Sequence, residues 1–156
     1  DDVLFVAMGG KPRHVTEYKN IAKKIGLGNE VRIDGHATQE IVAMYQKAAD
    51  VVVMPFPWTE HYAYAMSPLK MFEYMASQRP ILSTDLPSVR EVLNEKNAIF
   101  IPPADPKQMA EAIEYLKSAP IIVEEVAQQA YTDVKEKYTW EKRVTNILAT
   151  LKDFLE

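Results

Sequence analysis

Short apolar, β-branched runs alternate along the chain with segments whose apolar positions repeat at helical spacing. "VLFVAMGG" reads as a strand and turn. "VTEYKNIAKKIGLG" reads as a helix, with Ile21 and Ile25 on one face and Gly26 or Gly28 near its end. "VRIDG" is a strand, and "TQEIVAMYQKAAD" a helix with Thr38 at its cap. "VVVMPF" is an apolar strand, and "PWTEHYAYAM" a loop, aromatic and free of glycine. "SPLKMFEYMA" is a helix that Ser67 can cap and Pro68 can open. "PILST" and "AIFIPP" are strands, separated by the short helix "PSVREVLNE" with Pro87 in its first turn. "DPKQMAEAIEYLKS" is a helix capped by Asp105, and two further helices close the chain over residues 120–156. Five strands alternating with helices, several apolar throughout, predict a parallel sheet covered on both faces. Connections between parallel strands are right-handed, so the expected fold is a doubly wound, Rossmann-like α/β domain over residues 1–156. No low-complexity tract or linker interrupts it.

Ligands in such folds bind outside the carboxyl ends of the strands. The segments there are "GGKPR", "GHAT", "PFPWTEHYAYAMSP", "TDLPS" and "PPADP". Gly9 and Gly10 permit close backbone approach, and Lys11 follows them. The stretch matches neither GxGxxG nor a P-loop, so a basic surface turn and a phosphate- or sugar-facing loop are both open. Gly35 and His36 form either a tight turn into a capped helix or a ligand contact. Glu60, His61 and Tyr62 belong either to a packed loop or to a sugar contact, since aromatic faces and carboxylates suit sugars.

"SPLKMFEYMA" poses a sharper question. Pro68 has no N–H, so the free donors at this helix start belong mainly to Leu69, Lys70 and Met71. Such donors form an anion site. Lys70 is misplaced there when the site is empty, by about 0.3–1 kcal/mol, and well placed beside a phosphate. Glu73 lies three residues on, on the same face as Lys70. Leu69, Phe72 and Ala76 define one apolar face, Met71 and Met75 another. A buried carboxylate needs a partner, which ligand hydroxyls supply. The alternative is an ordinary surface Lys–Glu pair, worth little. The residues alone leave the two readings level.

Composition narrows the classes. The 156 residues are 47% apolar and 26% charged, ordinary for one soluble domain. The formal charge of -4 gives no bulk attraction to nucleic acid or anionic lipid. There is no cysteine, which excludes disulfides and thiol chemistry and fits a reducing, cytoplasmic setting. His14, His36 and His61 show no metal-ligand spacing, and no metal or cofactor is expected. The apolar runs are too short to span a membrane. The chain opens on "DDVLFVAMGG" without Met, as a fragment or processed chain would.

The stretch "SPLKMFEYMASQRPILSTDLPSVREVL" resembles the donor-binding signature of the retaining glycosyltransferases of family 4, which have the GT-B fold. "VLFVAMGG", "IAKKIGLGNEVRIDGHATQEIVAMYQKAADVVVMPF", "IFIPPADPKQMAEAI" and the "YTW" before the last helix follow the family in order, so the resemblance spans nearly the whole chain. It implies the carboxyl-terminal, nucleotide-sugar-binding half of a two-domain enzyme, lacking its first βα unit. It also implies hexosyl transfer from a nucleoside diphosphate sugar to a glycan or lipid hydroxyl with retention. Glu73 matches the second Glu of the family's Glu-x7-Glu motif and would hold the ribose hydroxyls. Ser67, Pro68, Leu69 and Lys70 match the helix start that receives the diphosphate. Gly9, Gly10 and Lys11 match the donor-facing loop, and the turn from Ile33 to Gly35 and His36 the region framing the base.

The departures carry expectations too. The first Glu of the motif is replaced by Ala65, for which Glu60 or His61 would substitute. All five glycines fall at or before position 35, so the family's Gly-rich loop is missing, and "SQRPI" replaces a more usual Gly. The acceptor-binding half is missing, and membrane association, where present, would run through it. The missing first strand would be central, leaving two open strand edges for another chain or segment to fill. The isolated residues are expected to transfer little or nothing. Two other readings stay open: a non-catalytic nucleotide-binding or scaffold module, and a nucleotide-sugar epimerase.

Overall fold

The computed structural model describes residues 3–155, with side chains through residue 152. The chain forms two compact units, Asp1–Tyr45 and Gln46–Glu156.

In the first unit, β1 (Phe5–Met8) pairs in parallel with β2 (Val31–Asp34), in register from Phe5 with Val31 to Met8 with Asp34. Helix α1 (Pro12–Lys24) joins them. It begins three residues before the apolar periodicity, because Pro12 presets the first helical φ. It ends at Gly26, whose φ of 82° is the left-handed value a helix stop requires. There the Gly26 and Leu27 amides donate to the Lys23 and Ala22 carbonyls at 3.1 and 2.9 Å, the two bonds of a Schellman stop. Ala22 is the buried apolar residue of this unit, whereas Phe5 and Ile25 are 50% and 63% exposed. The unit boundary falls within α2 (Gln39–Ala48), whose first bond runs from the Val42 amide to the Thr38 carbonyl, with Thr38 in the cap position.

In the second unit, β3 (Val52–Met54), β4 (Ile81–Thr84) and β5 (Ile99–Ile101) form a parallel sheet in that order. β4 is buried at all four positions, as a central strand covered on both faces must be. Its two hydroxyls are satisfied: Ser83 Oγ donates to the Thr84 carbonyl and Thr84 Oγ1 to that of Met54. The unit also holds α3 (Leu69–Ala76), α4 (Pro87–Arg90), α5 (Pro106–Ser118), α6 (Pro120–Lys137) and α7 (Trp140–Leu155), the last resting on α6. Asp105 caps α5, its Oδ1 accepting from the Gln108 amide at 2.9 Å. The core is Met54, Met71, Met75, Ile81, Leu86, Val89 and Leu93, with Ala130 of α6 packed against them. Helix α6 packs on α3. The buried Asp133 carboxylate of α6 accepts from Asn97 Nδ2 at 2.9 Å and Lys137 Nζ at 2.6 Å.

Two local expectations change. The segment read as a loop holds a π-helical turn, His61–Ala65. Ser67 does not cap α3: Pro68 takes the cap position, extended at φ −77° and ψ 122°, with no side-chain cap bond. Proline biases the residue before it away from helical geometry, which keeps Ser67 out of the helix. Among the described residues, β1 has only β2 as strand partner and β3 only β4. No described helix is long and apolar enough to cross a membrane.

Candidate functional site

The residues singled out above fall into two sets, one in each unit. In the first, Gly9 and Gly10 follow β1 with φ of 116° and 85°, values a side chain would strain. The Gly9 amide donates to the carbonyls of Asp34 and Gly35 at 3.1 and 3.2 Å, which brings the glycine turn against the end of β2. Lys11 then occupies the cap of α1, exposed. Gly35 and His36 are exposed beside it. Gly9, Gly10, Lys11 and Gly35 therefore share the carboxyl end of this small sheet.

The second set centres on the start of α3. The Met71 amide donates to the Pro68 carbonyl at 3.1 Å. The Leu69 and Lys70 amides have no partner among the described residues, which leaves two of the three expected donors open. The packed side of α3 is Met71 and Met75, with Phe72 and Tyr74 half-buried. Leu69 is 67% exposed, so the predicted Leu69–Phe72–Ala76 face is not the buried one.

Lys70 is half-buried, and burial lowers its pKa from the ordinary lysine value. Its ammonium sits over the Phe56 ring, 4.3 Å from the centroid. The Phe56 ring in turn stacks on Tyr62, 5.3 Å away. Glu73 is exposed and accepts from Gln46 Nε2 at 3.3 Å. The surface Lys70–Glu73 pair is thus not formed, nor is Glu73 a buried carboxylate in need of a partner. What stands at this helix start is a partly desolvated cation on an aromatic ring, two open amides, and a carboxylate one turn on. Burial and the Glu73 charge raise the pKa of Tyr74.

The π-helical turn supplies the remaining candidates. Glu60 caps it and His61 opens it, both exposed. The His61 ring meets that of Tyr62 edge-on at 5.6 Å. The turn is pinned by Ser88 Oγ, which donates to the Tyr62 carbonyl at 2.6 Å. Ala65 ends the turn, exposed, with no carboxylate. In "TDLPS", Arg90 occupies Asp85 through two bonds of 2.6 and 2.8 Å and holds its carboxyl below the usual range.

Sequence reasoning missed Phe56, Gln46 and Ser88. Phe56 had a signal, since it follows β3 directly in the segment where ligands bind. Gln46 and Ser88 act across 27 and 26 residues and had none.

A family model described as glycosyl transferases group 1 matches residues 1–118 of the chain. The chain belongs to that family. An uncharacterized glycosyltransferase of Methanocaldococcus jannaschii is 26% identical over 139 residues, covering 88% of this chain and 34% of that protein. An alpha-D-kanosaminyltransferase of Streptomyces kanamyceticus is 27% identical over the same length and shares. This glycosyl transferase chain thus spans about a third of the length of the curated relatives it matches. Its fold matches that of a glycosyltransferase from Rickettsia africae with a TM-score of 0.82 at 17% identity, over 99% of this chain and 41% of the other. It also matches Anabaena HepE in complex with UDP-glucose, with a TM-score of 0.76 at 18% identity, over 97% and 41%. The α/β architecture with parallel strands is therefore that of GT-B glycosyltransferases.

Proposed function

We propose that the chain is the donor-binding, carboxyl-terminal part of a retaining family 4 glycosyltransferase that moves a hexosyl group from a nucleoside diphosphate sugar to a glycan or lipid hydroxyl. The observation that carries this is the start of α3, which holds two open amides, those of Leu69 and Lys70, and the half-buried Lys70 side chain with its ammonium over Phe56. Charge develops on the leaving diphosphate, and donors fixed in place beforehand stabilise it without reorganisation. Lys70 and the two amides take that role. Glu73 binds ribose hydroxyls and positions the donor. Ser67 and Pro68 shape the approach, and Glu60 or His61 contacts the donor sugar where Ala65 brings no carboxylate. Gly9, Gly10, Lys11, Gly35 and His36 are proposed donor contacts of the first unit. The nucleotide sugar is the substrate and no resident cofactor is invoked. An acceptor domain comes from chain outside these residues, and another chain or segment fills the two open strand edges. The setting proposed is the cytoplasm, with any membrane contact made outside these residues.

Calorimetry with UDP, GDP and ADP tests the reading. Binding of one of them, lost in Glu73→Ala, is the expected result. No binding of any nucleotide would sink it. One observation favours a second reading, a nucleotide-binding module without turnover: Ala65 stands where the motif's first carboxylate would be. Donor hydrolysis by the intact protein separates the two.

A further inference from the structure

The geometry points to a second sugar site at the π-helical turn, where Trp58, just before the turn, and Tyr64, within it, form a stacking platform for a pyranose ring of a saccharide acceptor. The inference deepens the glycosyltransferase reading and rests on it.

Trp58 and Tyr64 are 55% and 69% exposed, the largest apolar side chains displayed by this segment. Their rings meet edge to face, centroids 6.3 Å apart at 84°. An edge-to-face pair uses at most one face of one ring, and both side chains remain more than half exposed. A pyranose ring carries an apolar face of C–H groups and a rim of hydroxyls. The first suits an aromatic face. The second needs hydrogen-bonding neighbours, and whichever of Glu60 and His61 does not reach the donor sugar stands exposed between the two aromatics in the chain.

The platform is braced from behind. Tyr62 stacks on Phe56, its carbonyl accepts from Ser88, and Ala63 is fully buried. A turn fixed in this way loses little freedom on binding, which is what makes a shallow site useful. The bracing also divides the turn. Tyr62 points into the stack that ends under Lys70, the proposed diphosphate position, while Trp58 and Tyr64 remain open to a second sugar. Exposed Trp and Tyr also occur at membrane surfaces. Residues 57–66 contain no Lys or Arg and do contain Glu60, which disfavours anionic lipid.

The test uses the full-length protein and ligand-observed saturation-transfer NMR with maltotriose, mannotriose and chitotriose. At least one trisaccharide should give ring C–H signals. In Trp58→Ala and Tyr64→Ala that affinity should fall by about fivefold to tenfold, the scale of a stacking contact. Trp58→Phe should keep part of it, and nucleotide affinity should stay as in the parent in all three. Signals of equal size in parent and alanine variants, or no signal from any probe, overturn the platform. So does loss of phosphatidylcholine–phosphatidylglycerol vesicle binding in the variants without loss of saccharide. Failure of the parent to bind any nucleotide refutes the donor reading instead, and the saccharide arm reads out separately.

Discussion

Lys70→Met separates a structural lysine from a ligand-binding one. The ammonium lies 4.3 Å from the Phe56 centroid in the first turn of α3, half-buried. Methionine keeps the apolar stem and removes the charge. The loss of the cation–π contact costs about 0.5–2 kcal/mol. Relief of a cation at a helix start returns about 0.3–1 kcal/mol. Relief of ammonium desolvation, visible in the lowered pKa, acts in the same direction. The terms oppose one another, so folding stability should change by less than about 1 kcal/mol. Affinity has no such cancellation. A hydrogen bond to a charged group contributes about 1.5–3 kcal/mol, so nucleoside diphosphate affinity should fall about tenfold to a hundredfold. Urea unfolding and calorimetry on the same preparations give both numbers. An unchanged dissociation constant together with a clear stability loss would refute the assignment and leave Lys70 as a strut on Phe56.

Two further outcomes concern the scaffold. Asp133→Ala leaves the buried Asn97 amide without its acceptor and should cost about 1–3 kcal/mol in urea unfolding, with Asp133→Asn costing less. Burial raises the Asp133 pKa, but bonds from Lys137, Asn97 and Gln129 outweigh it and leave it lowered. Its contribution is therefore present above the unfolded carboxylate pKa of about 3.9 and is lost as pH falls through the folded value, a slope absent in Asp133→Asn. Gln78 follows α3 with a φ of 59°, where a side chain is strained. Gln78→Gly should raise the melting stability by up to about 1 kcal/mol, and a loss would contradict the strain argument.

The α/β alternation was legible because most strands are short apolar runs and several helices carry their own punctuation: Pro87, Asp105 with Pro106, and a glycine at 26 or 28, whereas Pro12, which opens α1, went unread. These signals are local and physical, and they survive folding. The π-helical turn was not legible. "HYAYA" has no glycine and no clean period, and the turn is held by Ser88 and Phe56 from elsewhere in the chain. The start of α3 was half legible. Lys70 and Glu73 stood out as charges on an apolar helix, but the ring beneath Lys70 and the amide against Glu73 come from other elements. Ser67 misled because a hydroxyl before a helix usually caps it, whereas the proline that follows moves the helix start past it. The "SQRPI" departure has a backbone meaning: Gln78 stands in a left-handed position that glycine would occupy without strain.

The floor of the α3 site is sulfur. Met54, Met71 and Met75 are at most 1% exposed, while Met44 is 69% exposed. Thioethers oxidise readily when reached by solvent, and the sulfoxide is too polar for a packed core. Peroxide should therefore mark Met44 at once and the three floor residues only when the segment around α3 opens. Their oxidation is a chemical clock for local unfolding beneath the site, and a bound diphosphate that steadies the helix start would slow it.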